Sequence, residues 1–154
     1  MATARLEAEQ NVPLNVQEYL GFGVGKELFA VPIIDVSEVV KPLPFTPVPN
    51  VQDYVEGIMN LRGKIIPLID LSKRLLLGKK TISNETRIVI AERDNKLVGM
   101  VVDHVIGVLS VDMDAIEEAP EVVKAKIAGE FITGVTQLER QLFILLDIQI
   151  LLKS

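Results

Sequence analysis

"VEGIMNLRGKIIPLIDLSKRL", residues 55–75, returns in altered form as "ITGVTQLERQLFILLDIQILL", residues 132–152. The copies align without a gap, setting Gly57 on Gly134, Leu61 on Leu138, Leu68 on Leu145, Asp70 on Asp147 and Leu75 on Leu152. Most other positions exchange one aliphatic residue for another. An internal repeat fixes architecture more firmly than local propensity does. Ahead of each copy lies a weaker pair, "LGFGVGKELFAVPIIDVSEVV" (20–40) and "IVIAERDNKLVGMVVDHVIGV" (88–108), in which Asp35 is set on Asp103 and Val36 on His104. The order predicts two related modules, residues 14–83 and 84–154, forming one domain behind a flexible tail at 1–13.

Apolar alternation through Leu20, Phe22 and Val24, then Phe29 and Val31, predicts a hairpin turning at residues 25–27, with a third strand over 36–40. The repeated stretch reads as a second hairpin, 56–62 and 64–69, closed at Arg62-Gly63. Five short strands per module predict a mainly β fold of two small barrels, because closure removes exposed edges. Asp70 and Asp147 each precede a short apolar run and are expected to cap a short helix after each barrel. Prolines 42, 44, 47 and 49 predict an extended connector in the first half, whereas the second half carries a charged excursion over 112–130. Unlike connectors on duplicated barrels are where partner contacts are expected to differ.

The 154 residues are 49% apolar but only 5% aromatic, so the interior must come from Val, Ile and Leu, which favours strands. A net charge of −5 repels nucleic acid, and the basic run "SKRLLLGKK" (72–80) reads as a solvated helix face. No uncharged apolar run approaches the ~18 residues of a membrane span. The first ten residues do not resemble a secretion signal, and the absence of cysteine suits a reducing compartment. A cytoplasmic protein with no membrane insertion is expected.

Candidate chemistry is sparse. "GFGVGK" (21–26) lacks the hydroxyl residue and following helix of a phosphate loop, so it reads as a strand and turn. Asp103 and His104 are adjacent, leaving an alternative reading as polar groups of a small-molecule sensor or enzyme in the inter-barrel groove. The repeated aspartates 35, 70, 103 and 147 are expected to serve strand ends and caps; no catalytic, cofactor or metal residues are assigned. Arg62-Gly63 differs, because its copy carries Glu139-Arg140. The scaffold therefore tolerates other residues there, and Arg62 reads either as a solvated turn arginine or as a recognition residue of the first barrel, a planar donor suited to carboxylates and carbonyls.

Gly57, Asn60, Leu61, Arg62, Gly63, Pro67, Asp70 and Leu71 fit the most specific stretch of the CheW family of chemotaxis coupling proteins, which this chain resembles. "VGMVVDHVIGVL" (98–109) and "FITGV" (131–135) resemble two further family stretches. The resemblance implies two five-stranded SH3-like barrels and a non-enzymatic adaptor joining chemoreceptor tips to the histidine kinase CheA. It also implies a receptor contact at Val36, Glu38, Gly57, Arg62 and Gly63, near the inter-barrel groove. A contact with the kinase regulatory domain is implied around Val105, Val108 and Gly134.

Overall fold

Leu20, Phe22 and Val24 lie on one side of the first strand and Tyr19 on the other, yet all four are buried. Their strand, Val16–Val24 (β1), is apolar on both faces because both faces are covered. It turns at Gly25, φ 62, into Glu27–Pro32 (β2), with Val24 opposite Glu27. A single left-handed residue at the first turn position is the II′ geometry that glycine satisfies without strain. The equivalent hairpin of the second half, Arg87–Arg93 (β7) and Lys96–Val102 (β8), turns through Asp94 and Asn95, both left-handed, as a type I′ turn. The structure, a computed structural model, describes residues 15–78, 80 and 82–153; the tail expected at 1–13 lies outside the described residues.

After each hairpin a third strand departs: Val36–Val40 (β3) in the first half and His104–Asp112 (β9) in the second. The repeated stretch supplies Val55–Leu61 (β5) with Lys64–Asp70 (β6), and Ile132–Leu138 (β10) with Gln141–Leu146 (β11). Between β3 and β5, Phe45–Thr46 (β4) pairs with β5 in the gap between Pro44 and Pro47, so the proline connector holds one short ladder.

The strands form a mainly β fold of two sheets, in the orders β10-β11-β2-β1-β9 and β3-β7-β8-β6-β5-β4. Duplication is visible in these orders: replacing each strand by its copy converts the five-stranded sheet into the first five strands of the other. The modules 14–83 and 84–154, however, do not coincide with the sheets. The six-stranded sheet is one uninterrupted run from β3 to β8, and the five-stranded sheet joins β1 and β2 to β9, β10 and β11. Each third strand pairs with the first strand of the other half, β3 with β7 and β9 with β1.

Pairing also moves the weaker alignment by one residue. Val36 faces Ala91 and Glu38 faces Ile90 in one sheet; Val105 faces Phe22 and Gly107 faces Gly21 in the other. Val36 is thus the structural counterpart of Val105, Glu38 of Gly107 and Val39 of Val108. His104 answers to Asp35, not to Val36, and Asp103 has no aspartate opposite it. Each third strand has a register shift at the same place, after Val36 and after Val105.

Three apolar clusters follow from this layering. Leu20, Phe22, Phe29, Ile69, Val89, Met100, Ile144 and Ile148 form a core shared by both sheets. The alternate residues Met59, Ile66, Leu68, Ile88 and Ile90 fill the six-stranded sheet's own interior, and Tyr19, Ala30, Val111, Phe143 and Leu145 fill that of the other.

Each repeated stretch ends in a one-turn helix, Leu71–Arg74 (α1) or Ile148–Leu151 (α3). Asp70 accepts a hydrogen bond from the Lys73 amide at 3.4 Å, and Asp147 accepts from the Gln149 and Ile150 amides at 2.9 and 3.2 Å, as expected of N-caps. In the second connector the helix Glu121–Lys126 (α2) forms within the charged excursion. The basic run at 72–80 is not a solvated face. Arg74 lies between the rings of Tyr54 and Phe131, 4.5 Å from each, and donates to the Leu151 carbonyl at 3.0 Å. Leu151 is the repeat counterpart of Arg74, so the two halves meet here about a local twofold.

Candidate interaction site

The β5–β6 turn places Arg62 and Gly63 at φ 50 and 86, and the copied β10–β11 turn places Glu139 and Arg140 at φ 50 and 68. Both are tight turns with two left-handed residues, the I′ geometry. The backbone is therefore the same in both copies, and only the side chains differ. Gly63 adopts this conformation without a Cβ, whereas Arg140 holds it with one. The Asn60 side-chain oxygen accepts from the Gly63 amide at 2.9 Å and fastens the first turn.

From this turn Arg62 reaches across to β3 and pairs with Glu38. The Arg62 side chain is 68% exposed, so the pair is solvated and contributes at most ~1 kcal/mol to folding. Gly63 is exposed, Glu38 is half-buried, and Val36 is half-buried against the shared core. The Arg62–Glu38 pair joins the turn to β3, the strand that also carries Val36. Gly57 does not join these residues as a contact surface, because it is buried and a Cβ there would sit 2.2 Å from the Thr46 carbonyl oxygen of β4. Its role is to let β4 approach.

At the second predicted site Val108 is 56% exposed and Ile106 beside it is 42% exposed, while Val105 is half-buried. Gly134 is buried like its copy Gly57: a Cβ would lie 2.5 Å from Ile116 Cγ2 and 2.9 Å from the Glu117 carbonyl oxygen. The two sets of site residues therefore occupy related positions, Val36 with Val105 and Gly57 with Gly134. Where β3 carries Ser37 and Glu38, β9 carries Ile106 and Gly107, and Glu139 stands in place of Arg62. One edge ends in a charged clasp and the other in apolar side chains.

Asp103 and His104 are both tied to the first hairpin. The Asp103 carboxylate accepts from the Gly25 amide at 2.8 Å, and its own amide donates to Gly23 at 2.9 Å. The His104 ring covers Gly23, whose Cβ would meet it at 2.1 Å. Glycine at 23 thus serves strand packing, in keeping with reading "GFGVGK" as strand and turn. Among the described residues no His, Cys, Asp and Glu group could hold a metal ion, and no helix is long and apolar enough to cross a membrane.

Two partly buried charge clusters bring together residues that their sequence spacing does not. Lys80 enters between Glu56 and Asp70, its ammonium paired with Glu56 and 3.5 Å from Asp70. Burial raises the Asp70 carboxyl above its ordinary range, opposed by the Lys73 amide and ammonium and supported by the negative charge of Asp103. Burial lowers the Lys80 ammonium. On the other side, Asp35 and Asp147 lie together on a cavity of about 390 Å³ with Tyr19 and Thr133. Burial raises the Asp35 carboxyl, and Asp147 raises it further; the Tyr19 phenol is raised by burial and by Asp35. Sequence spacing gave no signal for these groupings, because their members come from different strands and connectors.

Duplicated sheets around one shared core, with contrasting exposed edges, define the class of fold. A family model described as a CheW-like domain matches residues 18–154, and the chain belongs to the CheW family. Chemotaxis protein CheW of Klebsiella aerogenes is 35% identical over 138 residues, covering 90% of this chain and 82% of that protein. CheW of Bacillus subtilis is 38% identical over 123 residues, covering 80% and 78%. The crystal structure of scaffolding protein TtCheW from Thermoanaerobacter tengcongensis superimposes with a TM-score of 0.82 at 35% identity, covering 94% of this chain and 92% of that one.

Proposed function

We propose that this protein is a non-enzymatic chemotaxis adaptor that couples the cytoplasmic tips of chemoreceptors to the histidine kinase CheA, so that receptors control kinase activity. The observation that carries the reading is membership of the CheW family along nearly the whole chain. It works in the cytoplasm and reaches receptor arrays through its partners, without cofactor, metal or nucleic acid.

Arg62, Gly63, Glu38 and Val36 form the receptor contact in this reading. The solvated clasp supports it: an exposed ion pair is exchanged for a partner's carboxylate or carbonyl at little cost to folding. Val108 and Val105 on β9 form the kinase contact, supported by the apolar exposure of that edge. Gly57 and Gly134 serve these surfaces indirectly, by fixing the backbone beneath them.

Reconstitution tests both levels. Purified receptor and CheA are assayed for autophosphorylation with wild-type protein, with Arg62→Ala and with no adaptor. Receptor control is expected to require the protein and to weaken at least ~tenfold in apparent affinity with Arg62→Ala, a loss of ~1.4 kcal/mol at a contact hot spot. Control that persists without the protein sinks the adaptor reading; full coupling by a folded Arg62→Ala variant sinks only the site.

A further inference from the structure

The Lys80 site and the Asp35–Asp147 cavity occupy corresponding places in the duplicated fold. Glu56 and Asp70, which hold the Lys80 ammonium, are the repeat counterparts of Thr133 and Asp147, which line the cavity. In the first half the chain fills this place with its own lysine. In the second half, among the described residues, no ammonium or guanidinium pairs with Asp35 or Asp147, and the space beside them is lined by Tyr19, Met113 and Ile116. Two carboxylates on one cavity, close enough for Asp147 to act on Asp35, with aliphatic, thioether and phenol walls beside them, match a lysine side chain in both parts, the walls taking its methylenes and the carboxylates its head. Asp147 spends one oxygen, Oδ1, on the α3 amides, which leaves Oδ2 for a cation. Thr133 supplies one more oxygen, its hydroxyl already donating to the Leu145 carbonyl at 3.2 Å.

We propose that this cavity binds a primary alkylammonium, delivered as a lysine side chain of a partner protein. The occupant is a lysine because the one occupied copy of the site holds a lysine, entering from a neighbouring segment and not from the sheet itself. The proposal stands apart from the receptor and kinase contacts above, since the cavity lies among β1, β10 and α3 and includes none of their residues.

Isotope-labelled full-length protein titrated with N-acetyl-lysine methylamide, with the norleucine analogue as the uncharged control, tests it by amide NMR. The lysine analogue is expected to shift Asp35, Thr133 and Asp147 where the norleucine analogue does not. Asp35→Asn weakens the binding about tenfold, the loss of one charge-assisted contact, and Thr133→Glu, which recreates the Glu56 arrangement, strengthens it. Lys80→Met provides the internal standard, because it opens the first-half site to the same probe at Glu56 and Asp70. The proposal is overturned if the probe leaves Thr133 and Asp147 unmoved up to its solubility, whether or not it enters the opened site. It is equally overturned if both analogues bind alike. Putrescine binding more than about tenfold tighter than the lysine analogue would reassign the site to a free amine.

Discussion

The β5–β6 and β10–β11 hairpins share register, turn geometry and a buried glycine, yet one carries Arg62-Gly63 at its tip and the other Glu139-Arg140. What the copies hold in common belongs to the fold, and what differs is free to serve partners. The turn is the sharpest case, because the chain accepts two left-handed non-glycine residues at the second tip and still closes the same turn.

The comparison breaks first at the glycines. Gly57→Ala drives a Cβ into the β4 backbone, 2.2 Å from the Thr46 carbonyl oxygen, and is expected to destabilise by ~3 kcal/mol, against ~2 kcal/mol for Gly134→Ala, where one backbone oxygen, that of Glu117, stands at 2.9 Å and the stiff Ile116 side chain at 2.5 Å. Equal losses of denaturation midpoint would show that the copies are not supported differently. At the turns, Arg140→Gly relieves a left-handed Cβ and is expected to add ~1 kcal/mol, while Gly63→Ala removes a similar amount. Urea unfolding at neutral pH measures both.

A smaller effect separates the carboxylate pairs. Because the folded state raises the Asp35 carboxyl above its unfolded value of 3.8, its contribution is greatest below that pH and is lost as pH rises through the higher folded value. Asp35→Asn removes this loss, so the variant should match wild type in acid and exceed it at neutral pH by less than ~1 kcal/mol, as a partly solvated group allows. Thermal unfolding against pH reveals it; a difference that grows toward acid would contradict the assignment. The smallest effect is at the tips, where Arg62→Ala and Glu139→Ala should each change stability by no more than ~0.5 kcal/mol. A markedly larger loss for Arg62→Ala would make the clasp a part of the fold.

Much of this was legible in the residues. The duplication, both helix caps and the strand character of the glycine-rich stretch follow from repeated positions and from local chemistry. Pairing between the halves was not legible, since alternation marks which face of a strand is buried and not which strand lies beside it. Asp35 and Asp103 align as identical letters, whereas ladder pairing makes His104 the structural counterpart of Asp35. The basic run misled because Arg74 and Lys80 find their partners, Phe131 and Glu56, at separations that periodicity does not reach. Among the proposed contacts, Arg62 and Val108 sit where a partner could meet them, but Gly57 and Gly134 are conspicuous in sequence for reasons of packing.

The reciprocal pairing of third strands reaches into how the chain folds. A cut between β6 and β7 would leave an amino-terminal piece with two strands of one sheet and four of the other, and a carboxy-terminal piece with the remainder. Neither piece could complete a sheet alone. The pairings of β3 with β7 and of β9 with β1 join residues far apart along the chain, which favours slow folding of the whole over independent folding of either half.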